Sequence, residues 1–122
     1  MSLGAGEAIG RHVLLDIYGI AAARLSDGQM LEQSLRTAAD AAGATVLFAH
    51  FHGFGEGLGV TGVLLLAESH ISIHTWPEHG FAAVDIFMCG QTQPETAATA
   101  IVECLGAERV TQRPLQRGGD AY

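Results

Sequence analysis

A chain of 122 residues is long enough for one domain with a real core and too short for two. Its 13 acidic and 6 basic side chains give a formal charge of −7, the wrong sign for a protein that grips a phosphate backbone, so no nucleic-acid partner is expected. All the basic residues are arginine: without a lysine there is no P-loop of the GK[ST] type and no lysine-bound pyridoxal phosphate.

Apolar residues at 48% against 16% charged describe a globular chain, not a disordered one. Two cysteines, Cys89 and Cys104, are too few for a disulfide framework and suit a reduced, cytoplasmic setting. The first eleven residues lack the pattern of a signal peptide, and no apolar run is long enough to span a membrane.

Residues 12–18 (HVLLDIY) form a short apolar run between Gly10 and Gly19, the pattern of a buried strand. Ser26 with Gln29 has the form of a capping box; Leu31, Leu35, Ala38 and Ala42 then recur at helical spacing until Gly43. Residues 45–51 (TVLFAHF) and 60–67 (VTGVLLLA) read as the next two strands, joined by a loop with glycine at 53, 55, 57 and 59. Residues 69–76 (SHISIHTW) alternate as a fourth strand, 77–80 (PEHG) turn, and 81–88 (FAAVDIFM) make a fifth. Thr92 and Pro94 start a second helix with apolar Ala97, Ala100, Ile101, Cys104 and Leu105 on one face, and Gly106 stops it. Residues 109–115 close the set as a last strand, and the tail to Tyr122 is expected to fray.

The order β-α-β-β-β-β-α-β, with three consecutive short strand-to-strand connections, predicts a mainly antiparallel sheet of the α/β (α+β) class. Two helices cover one face of such a sheet. The expected fold is a single two-layer sandwich over residues 1–122 whose bare face meets a partner, most simply a second copy.

The chemistry-bearing residues are unevenly spread: His70, His74, Glu78, His79 and Cys89 fall within twenty positions, with His50 and His52 upstream. His50 and His52 share a strand face, as do His70 and His74, but no acidic residue at matching spacing completes a metal site. His50 and His52 therefore read as ordinary strand residues, and no metal is expected. The glycine run joins two strands instead of leading into a helix, so it is no phosphate cradle; its Phe54 is either a core plug or a stacking surface. Cys104 reads as structural, on an apolar helix face. Cys89 stands before Gly90 at a sheet rim, where a thiol is reachable, and a Cys–His pair admits a thiol hydrolase, although no third orienting residue stands out.

The stretch from Leu66 to Glu78 (LAESHISIHTWPE), continued by HGFAAVD and Cys89-Gly90, resembles the prokaryotic S-adenosylmethionine decarboxylase proenzymes. The resemblance runs from about Gly10 to Arg117 and includes HVLLDIYG, the helix from Ser26, and AAGATVL. It implies self-cleavage between Glu68 and Ser69. The Ser69 hydroxyl attacks the Glu68 carbonyl, giving a β chain of residues 1–68 and an α chain of residues 69–122 that begins with a pyruvoyl group. The substrate amine condenses with that ketone, which serves as the electron sink for loss of CO₂ without pyridoxal phosphate or a metal. By the same resemblance His74 moves protons in processing and Thr61, where the family usually has serine, helps polarise the scissile carbonyl. Cys89 protonates the product carbon. Glu78 holds the ribose hydroxyls, Phe54 stacks on adenine, and Trp76 belongs with the substrate-binding residues. Family members form homodimers of processed αβ units with the site near the interface.

Strict alternation puts Ser69 and His74 on opposite strand faces, so they meet only if the chain turns at Glu68-Ser69; one unbroken strand over residues 66–74 would oppose self-cleavage. The loop departs from the family pattern in lacking proline, adding a residue and carrying Glu56, and Met88 replaces a threonine; these changes are expected to cluster near the substrate pocket. Alternatives are a pyruvoyl-dependent L-ornithine or L-arginine decarboxylase, for which Glu56 is the pointer, and a non-processing homologue that binds or regulates.

Overall fold

The computed structural model describes residues 8–119; the expectations for a leader segment and for fraying of the last residues fall mainly outside them. Six strands, Gly10–Tyr18 (β1), Val46–Gly53 (β2), Val60–Leu66 (β3), Ser69–Trp76 (β4), Phe81–Cys89 (β5) and Arg109–Arg117 (β6), form one sheet. Their order is β2-β3-β4-β5-β1-β6, and every neighbouring pair is antiparallel. The helices are Ala22–Leu25 (α1), Gly28–Ala41 (α2) and Pro94–Leu105 (α3), with a 3-10 turn at Pro77–His79. The predicted two-layer sandwich is the observed one. The one-turn helix α1 is an addition, and it relocates the cap of α2. Ser26 ends α1, its hydroxyl donating to the Ala22 carbonyl at 3.2 Å. The next residue, Asp27, caps α2 by accepting from the Met30 N–H at 3.1 Å.

The helices pack on one side of the sheet. Leu31, Leu35, Ala38 and Ala39 of α2 and Ala97, Ala98, Ile101 and Leu105 of α3 are buried. Below them lie Val13, Leu15 and Ile17 of β1, Leu64 and Leu66 of β3, Ile71 and Ile73 of β4, and Val84, Ile86 and Met88 of β5. Two expectations change here. Cys104 is half-buried, because the buried stripe of α3 runs through 97, 98, 101 and 105 and leaves 104 at its flank. Met88 faces the helices and is fully buried, so that departure fills core and does not line a substrate pocket.

The opposite face carries the alternate residues: Thr61, Val63 and Leu65, then His70, Ser72, His74 and Trp76, then Phe81, Asp85, Phe87 and Cys89, and His12, Leu14, Asp16 and Tyr18. No element of the described residues covers it. Among its side chains Phe48 is 55% exposed, Leu65 47% and Leu115 50%, more apolar surface than a lone sheet face ordinarily leaves in water. No described helix is long and apolar enough to cross a membrane.

One buried polar residue ties the layers together. Thr75 Oγ1 donates to the Leu25 carbonyl at the end of α1 (2.6 Å) and accepts from the Val60 N–H at the start of β3 (2.8 Å). The chain passes so close at Gly59 that a Cβ there would sit 2.2 Å from the Thr75 carbonyl oxygen. Thr75→Val orphans a buried donor and a buried acceptor, each worth about 1–3 kcal/mol. In thermal unfolding this variant is expected to lose roughly 8–24 °C, whereas Thr75→Ser, which keeps the hydroxyl, loses much less.

Candidate active site

The β3–β4 hairpin turns in two residues, Ala67 and Glu68, with Leu66 paired to Ser69. Glu68 adopts φ of 59°, the one positive φ at a non-glycine position among the described residues. A side chain in this left-handed region costs about 1–2 kcal/mol. Residues 66–74 therefore do not form one strand: the chain turns, under strain, immediately before Ser69.

Two groups surround that turn. The Ser69 hydroxyl donates back to the Ala67 carbonyl at 3.2 Å. From the end of β5, Cys89 Sγ lies 3.2 Å from the Glu68 carbonyl oxygen, with the thiol as donor. The Glu68 carbonyl and the Cys89 thiol thus meet at one end of the sheet, next to Ser69 in the chain, at the rim where Cys89 was expected.

His74 and Thr61 are not there. They face each other across β3 and β4, Thr61 Oγ1 lying 3.0 Å from His74 Nδ1. The turn precedes Ser69 and β4 then runs regularly, so Ser69 and His74 keep the opposite faces that alternation dictates. Five residues of strand also separate them by about 16 Å. Around His74 the structure gathers the other substrate-binding candidates into a recess. It is lined by Phe54, Leu58, Thr61, His74, Trp76 and Glu78, among others. Phe54 is 58% exposed and stands edge-on to His52, which settles its two readings in favour of an accessible aromatic surface. Trp76 leans on Phe81, which leans on Tyr18. Glu78 is exposed on the 3-10 turn, and Glu56 is exposed at the loop tip.

The histidine pairs behave differently from the spacing argument. His50 and His52 are exposed on edge strand β2 and belong to no metal-ligating group. His70 and His74 share a face but stand about 13 Å apart along β4. The one cluster with metal-ligand distances among the described residues is His12, His70 and Asp85. Spacing missed it because its members come from three strands. Alternation showed that each lies on a strand face, but the register that brings them together is tertiary.

These positions coincide with a known family. A family model described as S-adenosylmethionine decarboxylase matches residues 11–118. Two curated relatives, both S-adenosylmethionine decarboxylase proenzymes, are similar over most of their length. The protein from Prochlorococcus marinus (strain MIT 9313) is 49% identical over 110 residues, covering 89% of this chain and 87% of its own. The one from Synechococcus sp. (strain WH7803) is 53% identical over 110 residues, covering 89% and 85%. The crystal structure of the adenosylmethionine decarboxylase from Aquifex aeolicus VF5 superposes with a TM-score of 0.85 at 37% identity over 92% of each chain. A match of this extent, in sequence and in fold, over a strained Glu68-Ser69 turn with a thiol on its carbonyl, means that the chain belongs to the S-adenosylmethionine decarboxylase family.

Proposed function

We propose that this protein cleaves itself between Glu68 and Ser69 and, as a pyruvoyl enzyme, decarboxylates S-adenosylmethionine, yielding CO₂ and the aminopropyl donor used for spermidine. The observation that carries this reading is the turn itself: a left-handed Glu68 whose carbonyl receives the Cys89 thiol, followed at once by a serine. Attack by Ser69 Oγ on the Glu68 carbonyl carbon converts the peptide to an ester and frees the backbone amine. The developing oxyanion is met by the Cys89 S–H already directed at that oxygen, a donor aimed where charge appears. Elimination then releases Glu68 as a carboxylate, and hydrolysis of the dehydrated residue 69 releases ammonia and leaves the pyruvoyl ketone. The residues present fit that group, since its precursor hydroxyl, its scissile carbonyl and a proton donor lie together. When present, it supplies the electron sink that this lysine-free chain otherwise lacks.

The site is composite, completed by a second copy. Within one chain His74 and the Phe54–Trp76–Glu78 recess stand about 16 Å from Ser69, too far for any side chain to bridge. Sheets packed face to face lie about 10 Å apart with their side chains interdigitated. A two-fold axis running across the strands reverses their direction, so the end of one open face that carries Cys89, beside the Glu68-Ser69 turn, lies over the His74 end of the other. The same pairing buries the apolar side chains that the open face leaves exposed.

For the substrate, an accessible aromatic pair (Phe54 and Trp76) beside a carboxylate (Glu78) suits an adenine ring and ribose hydroxyls. Ornithine and arginine have no such parts, and Glu56 points to solvent. The setting proposed is the cytoplasm.

On a denaturing gel the purified protein should run as two fragments, the larger lacking the blocked end and the smaller beginning with pyruvoyl by intact mass. Ser69→Ala should stay whole. Side-by-side CO₂ release from labelled S-adenosylmethionine, ornithine and arginine should favour the first; release from an amino acid alone would overturn the substrate, and a wild type that stays whole would overturn the reading. Glu68→Gly relieves the turn and should slow self-cleavage by up to about 10-fold, whereas Glu68→Gln, which keeps the strain, should not. Co-expression of Cys89→Ala and His74→Ala chains tests the composite site. Each alone should be inactive, and the mixed dimer should recover one working site; no recovery would place the whole site in one chain.

A further inference from the structure

Self-cleavage leaves residue 69 as a chain end, and ends of strands fray unless something holds them. The first side chain behind that end belongs to His70. Its ring stacks on Phe87, with centroids 5.9 Å apart and planes 29° from parallel. Its Nε2 lies 3.2 Å from Oδ2 of Asp85, which sits diagonally on the neighbouring strand. The other carboxylate oxygen, Oδ1, meets His12 Nε2 from β1. His12 Nδ1 in turn lies 3.1 Å from Nη1 of Arg117 on β6. The line His70–Asp85–His12–Arg117 thus crosses four adjacent strands.

The donors decide what this line is. A guanidinium only donates, so His12 Nδ1 must accept and the His12 proton resides on Nε2, which contacts Asp85 Oδ1 as an ion pair. Asp85 then spends its second oxygen on the His70 N–H. The same accounting disfavours a metal at His12, His70 and Asp85, because a cation on Nε2 would leave an N–H at Nδ1 pointing at the arginine. His70 with Asp85 Oδ2, and His12 Nδ1 with Arg117, are hydrogen-bonded without an ion, whereas His12 Nε2 and Asp85 Oδ1 touch as an ion pair outside hydrogen-bond geometry.

We propose that His70, clamped by Asp85 and backed by His12 and Arg117, is the positioning residue that keeps the cleaved end of the α chain beside Cys89. This rests on the pyruvoyl reading above. It assigns the cluster no part in bond cleavage: before cleavage the peptide link to Glu68 holds residue 69 in place, and afterwards the clamp replaces it.

The test compares His70→Ala, Asp85→Ala and Asp85→Asn in two forms, the processed enzyme and the uncleaved Ser69→Ala background. Processed His70→Ala and Asp85→Ala should show both fragments and a pyruvoyl end by mass. Their kcat for S-adenosylmethionine should fall roughly 10- to 100-fold with KM little changed, the penalty of a misplaced reacting group. Asp85→Asn, whose amide oxygen still accepts from one imidazole, should recover much of the loss. Hydrogen exchange at residues 70–73 should rise in the processed variants and stay at the parent level in the Ser69→Ala background. Cleaved variants with unchanged kcat, or exchange that rises equally without cleavage, would overturn the clamp alone. Folded variants that fail to cleave would also overturn it, by moving the pair into processing. A wild type that never cleaves removes the pyruvoyl reading and the clamp with it, and stoichiometric zinc retained after dialysis would replace the hydrogen-bonded line with a metal centre.

Discussion

Two helices on a six-stranded antiparallel sheet can bury one face and no more. The alternation of each strand divides its residues between the covered and the uncovered side, and most of the arrangement follows from that division. Val13, Leu15, Ile17, Leu64, Ile71, Ile73, Val84, Ile86 and Met88 go under α2 and α3. The histidines at 12, 70 and 74, the carboxylate of Asp85 and the thiol of Cys89 emerge on the other side. Polar groups that would be costly in the core are thereby collected on the surface that remains to be covered.

The hairpin at Ala67 and Glu68 turns that surface into a reaction site. The two-residue connection here holds one of its members at a positive φ, and with no glycine there the strain falls on Glu68, next to Ser69. Cys89 reaches the Glu68 carbonyl because β5 ends level with the start of β4, a consequence of register. The length of β4 holds Cys89 and the Glu68-Ser69 turn at one end of the open face and His74 with its recess toward the other.

Much of this was legible beforehand, for physical reasons that differ by element. The strands over 69–76 and 81–88 announce themselves by alternation, since each buries one face only. The class of sheet follows from connection lengths. Where reading failed locally, a neighbour intervened: Ser26 has the chemistry of a helix cap, but the unforeseen turn α1 claims its hydroxyl and passes the task to Asp27. Cys104 has a helical spacing that suggests burial, but the stripe of α3 is narrower than that pattern. Thr75, which joins α1, β3 and β4, looks in sequence like any strand threonine.

By itself the sequence determined the order of elements, the absence of a lysine-bound cofactor, the serine that can replace one, and the family, because composition, periodicity and a long specific motif are properties of a line of residues. Only the tertiary structure decided which side chains meet. The pairing of β4 with β5 and of β5 with β1 brings His70, Asp85 and His12 together across fifteen to seventy-three positions of chain, and the regularity of β4 keeps Ser69 and His74 apart across five. Register and strand length are set by packing over the whole sheet, and no local pattern carries them.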